Sequence, residues 1–171
     1  MFFDLEHGRR STVGDVQVDQ RSLATALEAY YVDNSAYPAW SRGALGVKGF
    51  LTPGHPSYNV PTFRVWATKA EFNTFTTLTT PLAYLTDYFS DLFVPDVNGV
   101  SFSYYSDDNG WILISPGPDG IYDIDPPDIY DSSVSQPSFK LLTGTNSQGM
   151  AFTYDPTNGA ISPGDVYRVK Q

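Results

Sequence analysis

The chain has 171 residues, 41% of them hydrophobic and 15% aromatic, with 14 Gly, 13 Pro and no Cys. One domain with a real core fits that length, and chain-wide disorder, collagen-like repetition, disulfides, thiolate nucleophiles and Cys-based metal sites are excluded. Ten Lys and Arg against 19 Asp and Glu give a net charge of −9, which disfavours a phosphate backbone and an anionic membrane surface as partners.

From about residue 11 to 34 the pattern predicts a helix. Val13, Val16, Leu23, Ala26, Leu27 and Tyr30 recur at spacings of three, four and seven, which makes one apolar stripe. Asn34 and Ser35 read as stop signals, and Pro38 prevents resumption. The first ten residues are polar and weakly patterned, able to extend the helix or fray. Residues 42–75 are broken by Gly43, Gly46, Gly49, Pro53, Gly54, Pro56 and Pro61, and read as a long loop with one short helix or strand at most. Its aromatics, Trp40 and Trp66 among them, are expected to pin it to the core.

Thr80 and Pro81 suggest a second short helix, capped by the hydroxyl and opened by the proline, with Leu82, Leu85, Phe89 and Leu92 on its buried face. Residues 100–105 and 111–115 read as a hairpin turning at Asp107-Asp108-Asn109-Gly110. A last strand pair is expected at 151–154 and 166–169. The fold class is therefore α+β: a long N-terminal helix packed on a small antiparallel sheet, with long loops. The chain is read as one domain, with 1–37 the helix, 38–78 a variable loop region, and 79–171 the short helix, the sheet and an acidic C-terminal loop.

Charge is unevenly placed. Between Ala70 and Phe139 stand eleven acids and no Lys or Arg, a charge of −11 that leaves +2 for the rest. Self-repulsion on that scale is relieved either by spreading the acids over a solvated surface or by gathering some around a cation. Asp119, Asp123, Asp125 and Asp128 fall within ten residues. Calcium takes oxygen ligands from carboxylates and carbonyls, and Gly117 and Gly120 let the backbone turn carbonyls inward. The register is not that of an EF-hand. Solvated turns are the competing reading of the same residues. Other chemistry is weakly represented: two histidines, His7 and His55, no nucleophile elbow and no phosphate-binding loop. Paired aspartates for a hydrolase have no distinguishing spacing.

Several segments together resemble one family. The run from Arg21 to Pro38, ending Asn34-Ser35-Ala36-Tyr37-Pro38, is similar to the end of the long helix and its exit in bacterial type IV pilin-like proteins, above all the major pseudopilin of type II secretion systems. Leu78 to Leu85 resembles the next landmark, and Trp111 to Gly120, ending Ser115-Pro116-Gly117-Pro118-Asp119-Gly120, resembles the strand and Asp-Gly loop near the pseudopilin C-terminus. Tyr154 to Gly159 with Gly164-Asp165 resembles the tail. The resemblance covers about residues 11–38 and 78–170. It implies a pilin-like head domain that acts as a structural subunit, with no enzymatic activity. Its partners would be other pilin or pseudopilin subunits, joined through the N-terminal helix, and secretion-system components. It would work in the periplasm or at the cell surface. The family's apolar N-terminal segment has no counterpart here, so no membrane insertion is expected of this form.

The resemblance also implies Ca2+ in the loop after Gly117. Asp119 matches the family motif; Asp123, Asp125 and Asp128 lie in the same loop, where Asp125-Pro126-Pro127 replace the family's glycines, and Ile114 and Ser115 would add carbonyls. The alternative function is an extracytoplasmic binding or adhesion module using Trp40, Tyr58 and Trp66, followed by an Asp-dependent hydrolase.

Overall fold

The computed structural model describes residues 2–38, 40–42, 61–63, 78–79, 82–87, 89–94, 102–107, 110–124, 144–145, 149, 151–159 and 161–170, the side chains of 2–11, 40–42, 61–63 and 107 excepted. Helix α1 spans Phe2–Asn34, 33 residues, so the polar first ten residues extend it. Strand β1 (Trp40–Arg42) pairs with β2 (Pro61–Phe63), antiparallel. Strands β3 (Ser103–Asp107), β4 (Gly110–Ser115) and β5 (Val166–Val169) form an antiparallel sheet in the order β3-β4-β5.

The helix ends as its last residues dictate. The Asn34 side-chain amide donates to the Tyr30 carbonyl at 2.9 Å. Ser35 then turns left-handed (φ 55°), and its N–H reaches the Tyr31 carbonyl at 2.8 Å, a left-handed C-terminal cap. Tyr37 folds back and stacks on Tyr31, centroids 4.5 Å apart. The Pro38 carbonyl accepts from the Tyr104 hydroxyl at 2.8 Å and the Ser106 hydroxyl at 2.9 Å. The Tyr-Pro exit is thereby fastened to β3.

Strand alternation divides the core in two. Trp111 and Leu113 face α1 and meet Val13, Val16, Leu23, Ala26 and Leu27, together with Phe102, Tyr104 and Val166. Full burial of Leu23 and Leu27 contributes about 1.5–3 kcal/mol each. The Gln20 amide adds a buried hydrogen bond to the Val166 carbonyl at 2.8 Å, and the Trp111 indole N–H donates to Glu28 at 2.7 Å. Ile112 and Ile114 face the other way and pack with Ile124 and Phe152. All six residues of β4 are buried, so neither face of the sheet centre is left to solvent.

Two expectations change. Over the described residues 82–87 no helix forms: residues 82 and 84–87 are bends. The N–H groups of Tyr84 and Leu85 both reach the Leu78 carbonyl, at 2.8 and 3.0 Å, which wraps the chain round one acceptor instead of winding it. Leu82 and Leu92, expected to be buried, are exposed. Tyr84 is held on α1 instead, edge-on to Tyr30 and donating to Asp33 at 2.8 Å. The second change is the partner of β5. It pairs with β4, from Ile112↔Val169 to Ser115↔Val166, because the apolar centre of β4 needs a neighbour on each edge. Residues 151–154 make only isolated bridges, Thr145↔Ala151 and Thr153↔Asp165. Among the described residues no helix is long and apolar enough to cross a membrane.

Candidate functional site

The sequence directs attention to the loop leaving β4. Pro116 and Gly117 start a single 3-10 turn, Gly117–Asp119, closed by Gly120 in the left-handed region (φ 73°) with its N–H on the Gly117 carbonyl at 3.1 Å. Asp119 folds onto its own turn and accepts from the Ile121 N–H at 3.0 Å. Burial raises its carboxyl above the usual range, the Ile121 N–H lowers it, and nearby Asp123 adds to the rise.

Beyond Asp119 the loop runs into the segment just before β5. The Asp165 side chain is fully buried. Its carboxylate accepts from the Asp123 N–H at 3.1 Å and the Ile124 N–H at 2.8 Å. Asp123 returns the bond, its carboxylate accepting from the Gly164 N–H at 2.9 Å. Burial pushes the Asp165 carboxyl up to about 8. The two N–H groups that face it work against that rise, and the charges of Asp123 and Asp119 add to it.

The close approach depends on two glycines. A Cβ on Gly117 would lie 2.6 Å from the Gly164 carbonyl oxygen, and one on Gly164 would lie 2.4 Å from the Thr153 backbone. Both have positive φ, 68° and 112°, where side chains are strained.

A second buried acid supports the top of the loop. Asp91 accepts from the Ser115 hydroxyl at 2.8 Å and the Phe93 N–H at 3.0 Å, both on Oδ1. Its Oδ2 is buried without a partner among the described residues. Burial pushes this carboxyl up to about 7, with Phe93 and Ser115 pulling it down.

The six residues expected to hold an ion thus separate. Asp119 and Asp123 share the loop. Ser115 is buried at its root with its hydroxyl committed to Asp91. Ile114 lies inside the ladder, between Ser103 and Tyr167. Asp125 and Asp128 lie outside the described residues, as do His55, Tyr58 and Trp66 and the side chains of His7 and Trp40. Calcium requires six to eight oxygen donors. The described residues contain no group of three acids or histidines placed to hold one. Asp165 and Asp91 were missed as partners of the loop. Gly164-Asp165 stands out in the sequence only as part of the tail resemblance, and Asp91 only as one acid of the charged stretch.

A cleft of about 200 Å³ opens beside Asp165, lined by Gln17, Thr153, Tyr154, Val166 and Tyr167; small-molecule sites usually run to ~300 Å³ or more. No family model, curated protein or solved structure matches the chain.

Proposed function

We propose that this chain is a structural, non-enzymatic subunit: the head domain of a type II secretion pseudopilin or a type IV pilin-like filament protein, working in the periplasm or at the cell surface beside copies of itself and related subunits. The observation that carries the reading is the division of α1. One stripe, Val13 to Leu27, is buried on the sheet. The remaining side carries exposed Gly14, Asp15, Gln17, Arg21, Thr25 and Ala29, with Val18 57% and Val32 79% exposed. A helix half committed to its own sheet and half open suits a subunit that repeats along an axis, where one surface meets a different surface of the next copy. The fastened Tyr37-Pro38 exit supports the same reading, because it fixes where the helix stops and the head begins.

The chain has no Cys, so a single introduced thiol is unambiguous. Val18→Cys and Val32→Cys, each introduced singly into the full chain in the cells that make it, are expected to give cross-linked dimers, the largest product one thiol per subunit allows, with a short bis-maleimide. Monomers alone at both positions would contradict assembly through α1.

A further inference from the structure

The hydrogen bonds between the 117–124 loop and the segment before β5 run in both directions. Asp165 accepts from Asp123 and Ile124, and Asp123 accepts from Gly164. We propose that this reciprocal latch, and not a bound cation, closes the acidic loop on the sheet.

Three observations support the assignment independently. The first is the sense of the donors. A cation site turns carbonyl oxygens inward, whereas successive backbone N–H groups turned inward make a cradle for an anion. At Asp123 and Ile124 the inward groups are N–H, and the Asp165 carboxylate occupies the anion's place. The second is the fit of the backbones. Gly117 and Gly164 approach so closely that a methyl group at either would collide with main chain, and this contact brings residues 123 and 165 together. The third is the apolar anchor. Ile124 is buried against Ile112, Ile114 and Phe152, so the segment that donates to Asp165 is also held on the sheet by its own side chain. A loop closed from within needs no divalent ion to stay closed. The proposal is independent of the filament reading, because a latched loop is compatible with any role of the chain.

Thermal melts of the purified chain test it, run in EDTA, in millimolar calcium and in millimolar magnesium, for wild type, Asp165→Ala and Asp123→Ala. Wild type is expected to melt at one temperature in all three. Asp165→Ala removes the carboxyl group that accepts from both the Asp123 and the Ile124 N–H, and is expected to lower the Tm by roughly 3–10 °C, equally with and without calcium. Asp123→Ala, which removes the acceptor of the Gly164 N–H, is expected to lower it less. A calcium-specific rise of several degrees in wild type that Asp123→Ala abolishes would overturn the proposal, as would Asp165→Ala melting like wild type. Should Asp165→Ala not fold, the wild-type and Asp123→Ala melts decide between the two outcomes alone.

Discussion

The two faces of the β3-β4-β5 sheet are covered by different means. On one side α1 brings Val16, Leu23 and Leu27 to Leu113 and Trp111. Those side chains ride on a helix whose backbone hydrogen bonds are complete within itself. On the other side Ile124 and Phe152 cover Ile112 and Ile114, but they ride on irregular chain. Irregular backbone must find its partners elsewhere when it is buried, and here it finds them in Asp165, Asp123 and the carbonyls of Phe152 and Asp165. The same strand thus teaches two rules. A helix needs only an apolar stripe to cover a sheet. A loop needs an apolar anchor and a polar fastening, and buried acids supply the second.

The sharpest way to break the loop side is at its closest backbone contact. Gly164→Ala adds a methyl 2.4 Å from the Thr153 backbone at φ 112°, and is expected to destabilise the chain by about 3 kcal/mol or more. Urea unfolding measures it; a loss below ~1 kcal/mol would show that the contact is looser than described. Next come matched truncations on the two faces. Leu113→Ala on the helix side is expected to lose about 3–4 kcal/mol, and Ile124→Ala on the loop side about 2 kcal/mol, because the loop can settle into the space and the helix cannot. Equal losses would remove the distinction between the faces.

The last effect is electrostatic. Asp91 and Asp165 are pushed up to about 7 and about 8 in the folded chain, against ~3.9 for an unperturbed Asp. Between those values the folded state holds protons that the unfolded state has released. Their contribution is therefore full below pH ~4 and lost as pH rises through 7 and 8. Unfolding in urea from pH 4.5 to 8.5 is expected to show stability falling with pH, and Asp91→Asn to flatten the part near neutrality. Stability rising across that window would mean that both acids are charged and satisfied when folded.

How much of this was legible in the sequence follows from the range of each interaction. The α1 stripe is local, and Val13, Val16, Leu23, Ala26 and Leu27 are all buried as their spacing predicts. The hairpin is local too, and its two strands appear with Asp107 opposite Gly110. Period-two alternation identifies β5 but carries no information about its partner, so its pairing with β4 was out of reach. The short helix expected after Thr80 fails because capping residues and apolar spacing do not reveal that Leu78 offers its carbonyl to two later N–H groups. The loop shows the same limit. Counting acids locates Asp119 and Asp123, whereas the fastening joins Asp123 to Asp165 across 42 residues, and composition cannot say whether carbonyls or N–H groups will face a carboxylate.

The latch on the loop side is tested most directly by amide hydrogen exchange of the unmodified chain, residue by residue, in EDTA and again in millimolar calcium. The N–H groups of Asp123, Ile124 and Gly164 are expected to be protected in EDTA, and calcium to leave their rates unchanged. Rapid exchange at those three positions in EDTA, slowed only when calcium is added, would contradict the account.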